Sequence, residues 1–190
     1  MVLKDFYATT AQASFTVLSV WWVILGLFQQ QWLRDARQRL AVYDISLYFL
    51  LPGMMSLVSL LAVEVPELWR VTFAAAGVVG AVESVLLPIR RRPHGPSRAF
   101  DHLADWLSFG LYALISLVAL WPGSVARIGI GLQPLQVEGT LIAGLLVLGF
   151  TLIWTMFVSA AGASDEARRD TPSAASIPQP AATSSRRRSA

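Results

Sequence analysis

Residues 4–34 read KDFYATTAQASFTVLSVWWVILGLFQQQWLR, and how this stretch is read decides the fold. It is apolar for long enough to cross a bilayer, which takes about 20 residues of helix. Taken as a helix, Thr9, Gln12, Thr16, Ser19, Val23, Gly26 and Gln30 follow one another at steps of three and four. They therefore share one face, which only Val23 breaks. Hydroxyl and amide side chains in hydrocarbon are costly unless they find partners. The face is expected to turn toward other helices or toward water, with the remaining spans packed around this one. The run ends in Gln29, Gln30, Gln31 and Trp32 with no small-residue cleavage site, which reads as a retained span and not a removed signal.

The rest of the chain has the same character. Of 190 residues, 55% are hydrophobic and only 14% charged, and the charges cluster between long apolar runs. With a mean hydropathy of +0.55, that is an all-α, polytopic integral membrane protein. There is no cysteine, which excludes disulfides, thiolate metal sites and cysteine nucleophiles. Fourteen of the fifteen basic residues are arginine, alongside abundant Ala, Gly and Val, a composition that points to a GC-rich bacterial source and hence to the inner membrane.

Five spans are expected, at residues 11–33, 45–63, 68–89, 103–121 and 139–161, forming a membrane domain over residues 1–162. Pro52-Gly53 falls near the middle of the second and predicts a kink. Between the third and fourth, RRRPHGPSR (residues 90–98) forbids a continuous helix, and Ser97 is placed to cap a new one starting at Arg98. Residues 122–138, with three glycines and two prolines, read as a loop. Residues 163–190 are rich in Ala, Ser, Thr, Pro and Arg without apolar period, and read as a disordered tail.

Lys and Arg number one, three, one, four, one and five in the successive segments between and around these spans, with Arg70, at the edge of the third span, counted in the second loop. By the positive-inside rule this alternation places the N-terminus outside and the tail in the cytoplasm, and it requires an odd number of spans. The triplets Arg90, Arg91, Arg92 and Arg186, Arg187, Arg188 then face an anionic inner leaflet, where each arginine is worth about 1 kcal/mol, and read as surface anchors. No aromatic residues interleave them, so nucleic acid is not an expected partner.

Glu83 is the ionisable residue that lies well inside an expected span. It shares a face with Thr72, Ala76, Gly80 and Leu87. A charge at such depth costs at least about 2.5 kcal/mol, so the carboxyl is expected to face protein or water, or to be protonated. It reads either as a proton- or cation-binding group on a path, or as a carboxylate reaching Arg90 or the polar face of the first span. Asp101, His102 and Asp105 stand together at the start of the fourth span, as a relay group or as acidic residues that complement the helix dipole. No metal-ligand spacing is present, and no cofactor is expected. In the last span Gly144, Thr151, Thr155, Ser159 and Gly162 suggest a helix-packing face.

No catalytic constellation emerges: both histidines lie in or beside one loop, and no serine sits in a nucleophile elbow. Two functions remain. In the first, the protein is a non-enzymatic membrane component, self-associating or a subunit of a larger complex. In the second, it is an oligomeric cation or proton channel or transporter, its path lined by Gln12, Thr16, Ser19 and Gln30 and tuned by Glu83; five helices alone enclose no wide polar pore.

Overall fold

The computed structural model describes residues 2–27, 36–61, 66–91, 98–123 and 133–170. They form five helices: α1 (Val2–Leu27), α2 (Ala36–Leu61), α3 (Pro66–Arg91), α4 (Arg98–Leu120) and α5 (Pro134–Asp170). Each contains a stretch long and apolar enough to span a membrane, namely Leu3–Leu27, Gln38–Leu61, Glu67–Ile89, His102–Leu120 and Pro134–Val158. The chain divides into two units, Met1–Trp154 and Thr155–Ala190. The first holds α1 to α4 and the membrane-spanning part of α5 through Trp154; in the second, residues 155–170 are helical.

Four of the helices start earlier than the expected spans, while α4 starts at Arg98 as expected. α1 begins at Val2 and α2 at Ala36, so most of the expected loop before Asp44 is already helical. α5 begins at Pro134 and takes in Glu138, which the sequence reading had left in a loop, and it runs on to Asp170, past the expected start of the tail. Residues 171–190 lie outside the described residues, as do 28–33 at the expected end of the first span. The early start of α5 has a local cause. Proline is favoured at the first helical position, where its missing N–H costs nothing. Gln136, two residues on, accepts a 2.9 Å hydrogen bond from the Gln133 backbone N–H, the reach-back half of a capping box. Helix α2 runs through Pro52 without interruption.

The closest helix pair is α3 with α4, made possible by glycine. A Cβ on Gly77 would lie 2.8 Å from the Tyr112 carbonyl oxygen and 2.9 Å from the Ser116 nitrogen, so the two backbones meet there. α1 lies beside α2 with Ser14 and Phe15 against Gly53, and touches α3 through Tyr7 and Phe73 and α5 through Phe6 and Gly139. α2 touches all four of its neighbours: besides α1 and α3, Tyr48 meets Tyr112 of α4 and Phe49 meets Phe150 of α5. Half of its span is buried, a larger share than in any other helix. These contacts put the starts of α1, α3 and α5 at one end of the bundle, as alternating crossings require; Arg70, near the start of α3, confirms it by donating to the Ala119 and Leu120 carbonyls at the end of α4.

Away from α1, the outside of the bundle is largely apolar. Val71, Val78 and Val82 of α3, Leu103, Leu107 and Leu114 of α4, and Val147 and Phe150 of α5 are all exposed, as lipid-facing positions should be. Many serine and threonine hydroxyls satisfy themselves locally: Ser46, Ser59, Thr72, Ser84, Ser108, Thr140 and Thr151 each donate to the carbonyl four residues earlier, whereas Ser116 donates across to Ala74 and the hydroxyls of Ser14 and Ser56 are buried without a hydrogen-bond partner.

Candidate functional site

The polar face of α1 does not turn inward. Thr9, Gln12, Thr16, Ser19, Val23 and Gly26 are all exposed, and the buried face is instead Tyr7, Thr10, Ala11, Ser14, Trp21 and Leu25. Of the two expectations for this face, other helices or water, the first is corrected: it does not meet the other helices of this chain. The orientation follows bulk. Turning α1 this way buries the Tyr7 and Trp21 rings and sets small Ser14 against Gly53 of α2. Ser19 donates to the Phe15 carbonyl at 2.7 Å and so needs no other helix. Gln12 and Thr16 flank the midpoint of the Leu3–Leu27 span, about 4.5 and 1.5 Å from it along the axis, and they face outward there. Gln30 lies outside the described residues.

Glu83 is half-buried on the flank of α3. The face of α3 that packs inward is Phe73, Gly77, Gly80, Ser84 and Leu87, rotated from the one expected through Thr72 and Ala76. One carboxyl oxygen of Glu83, Oε2, is buried without a hydrogen-bond partner. Of the group at the start of α4, His102 is exposed and Asp105 half-buried, and Asp101 belongs to the helix; no group of three or more His, Cys, Asp or Glu gathers among the described residues. Arg90 and Arg91 end α3, while Arg92, Arg186, Arg187 and Arg188 lie outside the described residues. In α5, Gly144 packs against Leu111, but the tighter contact is Gly149, whose Cβ position is 2.8 Å from Tyr48 Cβ.

Two polar clusters inside the bundle were not foreseen. The first joins α2 and α4, where the Tyr48 hydroxyl hydrogen-bonds to Ser108 Oγ. Ser108 also donates to the Ala104 carbonyl, and the Tyr112 hydroxyl beside them is buried with no hydrogen-bond partner. Tyr112 itself lies flat over Gly80 of α3, where no side chain larger than hydrogen fits.

The second cluster sits at the end of the bundle where α1, α3 and α5 begin. Tyr7 donates a 2.7 Å hydrogen bond to the Leu135 carbonyl, and its ring packs edge-on against Phe6 and Phe73. One helical turn above Ile142 on the buried stripe of α5 is Glu138, which is 0% exposed and lies within electrostatic reach of Tyr7. Neither of its carboxyl oxygens has a hydrogen-bond partner. The stripe Glu138, Ile142, Leu145 and Leu148 is regular, with a carboxyl where an aliphatic side chain would complete it. Proline at the first helical position, glutamine two residues later and this period together were the signal for Glu138, masked by the glycines and prolines just upstream.

The chain thus carries an outward polar face at mid-membrane on α1 and an inward, unpartnered carboxyl at one end of the bundle. Comparison with protein-family models, curated proteins and solved structures finds no match for it.

Proposed function

We propose that the protein is a non-enzymatic membrane component that works as a subunit of an assembly, using the exposed polar face of α1 as its contact. The observation that carries this reading is the position of Gln12 and Thr16, outward and beside the midpoint of the span, on a bundle whose surface is otherwise apolar. A primary amide brings two N–H donors and a carbonyl acceptor, and hydrocarbon offers none of them a partner. A facing helix does. Polar pairs between membrane helices contribute about 0.6 to 2 kcal/mol each, enough to direct association without welding it. The first partner to test is a second copy, because Gln12 on one copy is both donor and acceptor for Gln12 on another.

The test is the oligomeric state of the full chain in lipid nanodiscs or vesicles, read by subunit counting, for wild type, Gln12→Leu and Thr16→Leu. Assembly that drops in both folded variants supports the reading. A wild-type monomer, or assemblies indifferent to both substitutions, refutes self-association through this face. The same outward face supports the alternative in which copies of α1 surround an ion path. Ion flux in liposomes that changes with Gln12→Leu selects that alternative over a purely structural contact.

A further inference from the structure

We infer that Glu138 is a proton-binding site within the bundle, a carboxyl whose ligand is a single proton held between α1 and α5. The site is built. Glu138 is fully buried, both carboxyl oxygens lack a hydrogen-bond partner, and Tyr7 lies within electrostatic reach. An isolated carboxylate in such surroundings carries a large desolvation cost, which a bound proton removes.

The choice of ligand follows from what surrounds the group. The Tyr7 hydroxyl donates its proton to the Leu135 carbonyl and so is no donor to the carboxylate, which leaves the carboxyl without a hydrogen bond to stabilise a charge. Ile142 lies one turn below on α5, Phe6 packs on Gly139, and Phe73 closes over Tyr7 from α3. Among the described residues no cation faces Glu138. Lys4 and Asp5 of α1 and Glu67 of α3 are exposed, and Arg70 of α3 is engaged with the carbonyls that end α4. A metal cation needs six or so oxygens for a hard ion, and one carboxylate with a phenol does not supply them. A proton needs one.

Glu138 stands four residues past Pro134, so it is about 6 Å below the start of its span, a short distance for exchange with the aqueous side. Proton binding is thereby linked to the α1–α5 contact. The closed contact accepts the neutral acid, whereas an ionised Glu138 would carry the desolvation cost of a buried charge.

Infrared spectroscopy of the full chain in liposomes tests the inference without any assay of activity. A protonated carboxyl shows a carbonyl stretch distinct from that of a carboxylate, and the band shifts in heavy water. Wild type at neutral pH is expected to show this band, Glu138→Gln to lose it and Glu83→Gln to keep it. Tyr7→Phe, which leaves Glu138 in place, is expected to shift the band's frequency, and it serves equally if Glu138→Gln fails to fold. Absence of the band in wild type at neutral pH, its survival in Glu138→Gln, or a frequency unmoved by Tyr7→Phe would each overturn the assignment.

Discussion

The Tyr7 hydroxyl donates a 2.7 Å hydrogen bond to the Leu135 carbonyl, closing the first helix onto the last across 128 residues of sequence. The rest of Tyr7 packs through its ring, edge-on to Phe6 at 5.4 Å and to Phe73 at 6.5 Å between centroids. Tyr7→Phe keeps those ring contacts and removes one hydrogen bond, at a cost of about 1 kcal/mol. Tyr7→Ala removes both and leaves a cavity, at about 3 to 5 kcal/mol. Unfolding in mixed micelles with increasing SDS measures the two. Equal losses would mean that the ring contributes little and that the bond carries the contact.

Gly77 and Gly110 make a matched pair for the α3–α4 contact. At Gly77 a methyl group meets the Tyr112 carbonyl and the Ser116 nitrogen, backbone atoms that cannot swing aside; at Gly110 nothing lies within 4 Å. Gly77→Ala is expected to destabilise by about 1 to 3 kcal/mol through forced separation of the helices. Gly110→Ala is expected to be neutral or slightly stabilising, because alanine is the better helix former. Comparable effects from both substitutions in the same unfolding assay would rule out a glycine-dependent approach.

Tyr48 and Ser108 link α2 to α4 by a side-chain hydrogen bond. Pairs of this kind in membrane proteins average about 0.6 kcal/mol of coupling. A double-mutant cycle with Tyr48→Phe and Ser108→Ala should return a value near that, since each substitution removes one partner without adding a group. Ser108 keeps its own bond to the Ala104 carbonyl, so Tyr48→Phe alone leaves it satisfied and should be mild. Zero coupling would show that the two hydroxyls are adjacent but energetically independent.

Particular residues show what could be read in advance. Five apolar runs divided by polar or Gly/Pro-containing segments identify five spans, because hydrocarbon thickness fixes their length. The orientation of α1 was not legible in the same way. Its hydroxyls suggest a face turned to other helices or water, but a membrane-helix serine such as Ser19 bonds its own backbone and is nearly indifferent to which way it faces. The burial of Tyr7 and Trp21 decided the matter, and hydropathy gives little weight to that bulk. Glu138 is hidden in the sequence by the glycine- and proline-containing segment just before it, although Pro134 and Gln136 mark the true start of α5. Glu83 was found, but half-buried on a flank, a shift of one helical position that periodicity alone does not resolve.

The outward face of α1 makes a prediction that this chain is well suited to test, because it contains no cysteine and single cysteines can be introduced without removing others. If copies meet through this face, oxidation in native membranes should give disulfide-linked dimers from Thr16→Cys, which leaves the Gln12 amide in place. Ser14→Cys should give none, because Ser14 is buried against Gly53 within its own bundle. Val147→Cys supplies the harder comparison. Val147 is 66% exposed on an apolar face of α5, so it collides with neighbours at random but has no polar group to hold one there. Random encounter therefore predicts equal yields at Thr16 and Val147, while a specific contact predicts a clear excess at Thr16. The contact's dependence on the amide can be read on the same background: Gln12→Leu in the Thr16→Cys chain should lower the dimer yield about fivefold if the interhelical hydrogen bond is worth about 1 kcal/mol. Equal yields at Thr16 and Val147, or a yield at Thr16 that ignores Gln12, would mean that the polar face looks onto lipid and that α1 joins nothing beyond its own bundle.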